Sequence, residues 1–163
     1  MTITLAPLPA DRPDLLEAIN LPESQHQFAS PPAISMAQAT DRRDAHMIWE
    51  GDTPVGFFAI DLDYAQAHDF AEQGTLGLRM FCIDARHQGR GLATQACRAL
   101  GAYLAKQYPQ AATVYLTVNH RNPGARAAYL KGGFTDTGED YLGGGAGPQH
   151  IMRLPLQATA PVA

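Results

Sequence analysis

Cysteine is scarce in this chain of 163 residues, and the two present, Cys82 and Cys97, stand in no disulfide, metal-ligand or redox spacing. They fall in a strand-like and a helical run and read as reduced core thiols. Basic residues are also few. Lys and Arg number 12 against 16 Asp and Glu, a formal net charge of -4, and no basic cluster marks out a nucleic-acid footprint. No run approaches the roughly 18 consecutive apolar residues of a membrane span. Met1-Thr2-Ile3-Thr4-Leu5 lacks the basic start of a secretion signal, so the expected location is the cytoplasm. The six histidines show no metal-ligand spacing, so no metal is expected either.

What is present is an ordinary globular balance, 45% hydrophobic and 17% charged, in a length that suits one core. Residues 1–155 read as a single domain and 156–163 as a flexible, Ala- and Pro-rich tail. Thr2 to Leu8 alternates like a strand. Asp11 is placed to cap a helix with Pro13 in its first turn and Leu15, Leu16 and Ile19 on its inner face. A short helix is expected at Ile34 to Ala39. Residues 46–50 and 55–62 form a hairpin around Gly51-Asp52-Thr53-Pro54.

A polar insert with His68, Asp69, Glu72 and Gln73 then precedes a strand over 75–83, where Leu76, Leu78, Met80 and Cys82 alternate with Gly77, Arg79 and Phe81. Leu92, Ala96, Leu100 and Leu104 recur at helical spacing until Tyr108-Pro109. A strand over 113–118 follows, then a helix that opens at Asn122-Pro123 and stops at Gly132-Gly133, then one or two closing strands. The order implies a mixed α/β sheet with helices packed on it.

The stretch Ile83-Asp84-Ala85-Arg86-His87-Gln88-Gly89-Arg90-Gly91-Leu92-Ala93-Thr94 carries the chemistry. It runs from a strand through a glycine-bearing turn directly into a helix, whose first N–H groups and dipole favour an anion such as a pyrophosphate. It lacks the Gly-Lys-Ser/Thr end of a phosphate-binding P-loop and the third glycine of a dinucleotide fingerprint. Taken alone it also fits a tight turn with no ligand.

Gln88-Gly89-Arg90-Gly91-Leu92-Ala93 resembles the Gln/Arg-x-x-Gly-x-Gly/Ala motif of the GNAT acetyltransferases. Asn122-Pro123-Gly124-Ala125-Arg126-Ala127-Ala128-Tyr129, running on to Gly133-Phe134, is similar to their Asn-x-x-Ala-x-x-x-Tyr block. The resemblance spans residues 75–154 and implies the family's fold: a mixed, mostly antiparallel sheet of six to seven strands, flanked by helices and splayed at the cofactor site. It implies acetyl-coenzyme A as co-substrate, with the pyrophosphate on backbone amides from Gln88, Gly89, Arg90, Gly91 and Leu92 through Ala93 and Thr94. Backbone groups of Phe81 and Ile83 would pair with the pantetheine arm, Asn122 would bond it from the other side, and Tyr129 would stand near the sulfur.

Without the resemblance, Asn122 is a helix cap, Tyr129 a core aromatic, and Arg86 and Arg90 solvated or phosphate-facing charges. The implied reaction is direct attack of a neutral amine on the thioester, with Tyr129 protonating the departing thiolate and neither cysteine acting. The expected partner is a small-molecule amine rather than a nucleic acid or membrane, and a homodimer is compatible with the family. Asp61, Asp63, Glu50 and His120 are candidates for the general base. A fainter resemblance to the bacterial polyamine acetyltransferases rests on residues 78–84, on Phe134-x-x-Thr137-Gly138-Glu139 and on Phe28-x-x-Pro31 with Ser35-Met36-Ala37.

Overall fold

The structure is a computed structural model that describes residues 2–22, 36, 42–143 and 147–156. Apart from Met36, the helix expected at 34–39, the Phe28 to Pro31 motif and the tail beyond Leu156 lie outside the described residues. Strands β1 (Ile3–Pro7), β2 (Arg43–Glu50), β3 (Thr53–Asp61), β4 (Leu76–Ile83), β5 (Thr113–Asn119), β6 (Thr135–Tyr141) and β7 (Gln149–Pro155) form one sheet in the order β1-β2-β3-β4-β5-β7-β6. Every neighbouring pair is antiparallel except β4 and β5. The α-helices whose full span is described are a single turn α1 (Tyr64–Ala67), then α2 (Leu92–Gln107) and α3 (Pro123–Lys131). None of the described helices is long and apolar enough to cross a membrane.

Leu92, Ala96, Leu100 and Leu104 form a buried row on α2, four residues apart, and pack on Ile48, Phe58, Ile60, Val114 and Leu116 of the sheet. The opposite face of β2, β3 and β4 is covered by Leu15, Leu16, Ile19 and Leu21. These residues are buried as their spacing predicts, but the expected cap differs. Residues Pro13–Ala18 form a 3-10 turn with Arg12 at the N-cap and no side-chain cap bond. Arg12 turns instead to Asp14, 3.0 Å away in solvent, a pair of little energetic weight. Apolar burial, not capping, holds this segment.

The polar insert before β4 also differs from expectation. Tyr64 and Ala71 are buried with Tyr115 and Ile151, and Phe70 and Tyr141 pack against them. His68 stacks on Tyr64 at 4.0 Å. Gly77 makes this possible, because a Cβ there would run into the Tyr64 ring.

In β4 the strict alternation read from the sequence fails at Met80, whose φ is 59°. Phe57 is opposite Cys82 and Ala59 opposite Arg79, so Met80 and Phe81 together face Phe58. The extra residue is a β-bulge that reverses which side chains point to which face. Leu76 and Leu78 lie on the α2 side. After the bulge Phe81 and Ile83 take that side, while Met80 and Cys82 face the opposite cluster.

One polar chain is sealed beneath the end of α2. His46, 2% exposed, lies 2.6 Å from the Tyr103 hydroxyl through Nδ1 and 2.8 Å from the Tyr108 hydroxyl through Nε2, and Tyr108 donates to Asp44 at 2.6 Å. Because Tyr108 spends its proton on Asp44, it accepts from His46 Nε2–H, and Tyr103 must donate to Nδ1. Burial pushes the His46 pKa down to about 4, against a smaller opposing effect of Asp44, so the folded protein holds this imidazole neutral. The unfolded chain binds a proton there below pH 6.5 and the folded chain does not, so stability is complete above pH 6.5 and falls as pH drops toward 4. At pH 5 the loss from this residue should be about 2 kcal/mol. Chemical denaturation of wild type and His46→Gln at pH 7.5 and pH 5 checks this. The variant should lose less stability between the two, and equal losses would assign the acid sensitivity to other groups.

Candidate active site

Beta strands 4 and 5 share only two pairings, Leu76 with Val114 and Gly77 with Tyr115, and then diverge. The bulge at Met80 comes just after the last shared pair and bends β4 away. Between the strands opens a cleft of about 640 Å³. Phe81, Cys82 and Ile83 line its β4 side, and Asn122, Gly124, Ala125, Ala128 and Tyr129 line the side of α3. Gln88, Gly89 and Gly91 with Leu92, Ala93 and Thr94 complete the mouth. Tyr129 and the residues expected to hold the cofactor therefore meet at one cleft, except Arg90, whereas the general-base candidates Asp61, Asp63, Glu50 and His120 do not line it.

Asp84 sets the shape of the mouth. It is fully buried, receives the Asn20 N–H at 2.8 Å, and receives the Arg86 N–H and Nε at 3.1 and 2.9 Å. Burial alone would push this carboxyl up, yet the donated hydrogen bonds hold it below the usual carboxylate range. Ala85 N–H in turn donates to the Asn20 carbonyl at 2.7 Å. The N-terminal segment and the turn after β4 are thus buttoned together at one carboxylate. The sequence reading passed over Asp84, although an Asp closing a strand before an irregular turn is the available signal.

From that anchor the turn reaches α2 through Gly89 and Gly91, with φ of 80° and 78°. Both lie in the left-handed region, and a Cβ at either would meet nothing within 4 Å, so the backbone itself faces open space. The first bond within α2 runs from Gln95 N–H to Gly91 O, which leaves the N–H groups of Leu92, Ala93 and Thr94 without partners inside the helix. These three residues line the mouth, so donors and the positive end of the helix dipole converge on it. Gln88 bridges back to β4, donating from Nε2 to the Ile83 carbonyl at 2.8 Å.

Two arginine side chains near the mouth are engaged by the protein itself. Arg90 is not among the residues that line the cleft, and its guanidinium is held by both oxygens of Glu50 at 2.8 and 3.0 Å. Arg86 is committed to Asp84 and to the Ala18 carbonyl.

Tyr129 sits where α3 crosses behind β4, its ring 5.8 Å from Phe81 and 5.6 Å from Phe134. Burial raises its pKa far above the ordinary phenol value, so the proton stays on oxygen at any working pH. Its hydroxyl has no hydrogen-bond partner among the described residues, and the oxygen is open to the cleft rather than sealed in the core. Asn122 caps α3 by accepting the Ala125 N–H at 3.4 Å, and so combines the capping role with a place in the cleft wall. Cys82 also lines the cleft, but burial pushes its thiol up to about 12, which removes the thiolate needed for a nucleophile.

The candidates for a general base are all engaged elsewhere. Asp61 is paired with Arg79 at 2.8 Å, Asp63 with Arg42 at 3.3 Å, Glu50 with Arg90, and His120 with Asp140 at 2.9 Å.

Known proteins are similar to this chain in sequence and in fold. An uncharacterized N-acetyltransferase, YbbJ of Bacillus subtilis (strain 168), is 30% identical over 131 residues, 78% of this chain and 82% of that one. The spermine/spermidine N(1)-acetyltransferase of the same organism is 34% identical over 98 residues, 60% of this chain and 62% of that enzyme. In structure, the aminoglycoside acetyltransferase AAC(6')-Ib bound to coenzyme A and kanamycin superposes with a TM-score of 0.74 at 19% identity, covering 98% of each chain. The family model described as the acetyltransferase (GNAT) family matches residues 13–134, which run from the 3-10 turn through α3 to Phe134, and the chain belongs to that family.

Proposed function

We propose that this enzyme transfers the acetyl group of acetyl-coenzyme A to an amine of a small molecule by direct attack. The observation that carries the reading is the cleft between β4 and β5, with an anion cradle at its mouth and Tyr129 in its wall. The donor set fits the cofactor. Partnerless N–H groups and two left-handed glycines suit a pyrophosphate, and beyond Gly77 the β5-side edge of β4 has no strand beside it among the described residues, so Phe81 and Ile83 can pair with the amides of the pantetheine arm. Asn122 Nδ2 is free to donate to the arm from the opposite wall, since the cap uses only its oxygen.

Acetyl-coenzyme A supplies an acyl group on a tolerable leaving group. The amine lone pair forms the new C–N bond, the C–S bond breaks, and the Tyr129 hydroxyl gives its proton to the sulfur as charge develops there. The proton released by the attacking nitrogen restores the phenol. Because the Cys82 thiol is not ionised, no acetyl-enzyme intermediate is called on.

The acceptor class is supported by the net charge of -4, which favours cations, and by the acetylation of spermine and spermidine in the name of one relative. Release of free thiol should be fastest with polyamines in a panel that also contains aminoglycosides, amino acids and a lysine-bearing peptide. If only the peptide is acetylated, the small-molecule assignment fails and the family membership stands.

Acetyl-coenzyme A should raise the melting temperature of the wild type. Gly91→Val should abolish that shift. The paired variant Gly91→Asn tolerates the left-handed backbone, so a shift lost there too marks occupied space rather than strain. A full shift in both folded variants would remove the turn from the cofactor site.

Tyr129→Phe keeps the ring and its contacts and loses only the proton. Its kcat should fall about 100-fold, near the lower end for general acid catalysis, while cofactor affinity changes by no more than about 0.5–1.5 kcal/mol. Wild-type turnover in the folded variant, with chemistry rate-limiting, would return Tyr129 to the role of a core aromatic.

A further inference from the structure

A second cluster lies beside α3, outside the cleft, and strand register creates it. Asp140 of β6 stands directly opposite His150 of β7, and Val118 of β5 is opposite His150 on the other side. His120 follows β5 by one residue, with its N–H donated to the Pro148 carbonyl at 3.1 Å, so it is the diagonal neighbour of His150 on the same face of the sheet. The two imidazoles stack in parallel, 3.9 Å apart and 9° from coplanar. One ligand atom each from His120, Asp140 and His150 lie within 4.8 Å of one another. The separation in sequence hides them, because Asp140 and His150 come from different strands and His120 from the turn after a third.

The surroundings of the cluster suit a ligand set. Asp136 lies 3.3 Å from His150 Nδ1 and is itself anchored by Arg126 at 2.9 Å and by the Gly138 N–H at 2.8 Å. A carboxylate held beside a ring nitrogen of His150 is the outer arrangement that orients a metal-bound histidine. Asp136 reaches this position because β6 bulges between Asp136 and Asp140, which brings one carboxylate to each side of His150. Two imidazole nitrogens and one carboxylate oxygen are a borderline-soft set that selects zinc-class ions over magnesium or calcium.

We propose that His120, Asp140 and His150 bind one divalent transition-metal ion of the zinc class, with solvent completing the coordination. The side chains are 25 to 44% exposed, so they can rotate from their present hydrogen bonds onto the ion. Bound metal would tie the edge strand β6 to the β5 end two residues before Asn122. It is a clamp on one wall of the cleft rather than a participant in acetyl transfer.

The test uses untagged, chelator-stripped full-length protein titrated with Zn²⁺ by calorimetry, with Co²⁺ by visible absorption, and with Mg²⁺ as a control. One equivalent of Zn²⁺ should bind and raise the melting temperature, Co²⁺ should give the spectrum of a mixed nitrogen and oxygen site, and Mg²⁺ should do neither. His150→Phe retains the stacking surface and Asp140→Asn retains the shape, and each should weaken Zn²⁺ binding at least about tenfold. Absence of saturable Zn²⁺ binding to the wild type, or undiminished binding in either folded variant, would overturn the assignment.

Discussion

The active-site architecture depends on one constraint, that β4 and β5 are paired at their beginnings and cannot stay paired. A parallel pair in the middle of a sheet ordinarily keeps its ladder, because unpaired backbone groups are costly to bury. Here the ladder stops after Gly77 and Tyr115, and the bulge at Met80 follows at once. A residue with a side chain at φ 59° stores on the order of 1–2 kcal/mol of strain. The surrounding packing fixes it in place: Phe58 and Phe81 stack at 6.1 Å on one face, and Met80 packs into the Leu15 to Leu21 cluster on the other. The strain and the unpaired strand edge have one consequence in common. They leave an elongated slot whose wall can be read by an amide-bearing ligand as though that ligand were a strand.

Charge is distributed around that slot by a simple rule. Arginines near the mouth are neutralised by carboxylates of the protein itself, Arg90 by Glu50 and Arg86 by Asp84. What remains to meet an anion is the backbone, with its partnerless N–H groups at the start of α2. Backbone donors have no side-chain entropy to lose and cannot swing away, so the cradle is built before any ligand arrives. The ion pairs serve the cradle indirectly: Asp84 holds the turn to the N-terminal segment, and Arg90 on Glu50 ties it to the end of β2.

Much of this was legible from residue order, and the failures have physical causes. The row of Leu and Ala on α2, the Pro-opened α3, the hairpin of β2 and β3 and the glycine turn each depend on contacts within a few residues, which local pattern records. The face switch in β4 was invisible because alternation is a local rule, while the bulge is selected by the packing of Phe58 and Phe81 across strands. Arg90 looked available to phosphate because Glu50 is 40 residues away in the chain. The insert over 63–75 read as polar because its aromatics, Tyr64 and Phe70, have no period of their own, and their partners Tyr115 and Tyr141 come from β5 and β6. The stacked His120 and His150 pair was missed for the same reason.

The burial of Tyr129 bears directly on how such a cleft can work. A phenol with a strongly raised pKa is a weak acid, which at first sight argues against it as a proton donor. The penalty that raises the pKa, however, is the cost of placing phenolate charge in an apolar wall made by Phe81 and Phe134. A sulfur acquiring negative charge against the same wall is subject to the same cost. With Tyr129 as the donor of the proposed reaction, its hydrogen bond would strengthen as that charge grows, because the low dielectric that disfavours phenolate would also magnify the attraction between the O–H dipole and the sulfur. With no hydrogen-bond partner among the described residues, the Tyr129 hydroxyl opens onto the cleft, where a charged acceptor would form only as the reaction proceeds. Interaction energy withheld from the ground state and released as charge moves is what lowers a barrier, whereas an equally strong bond to the resting ligand would only tighten binding.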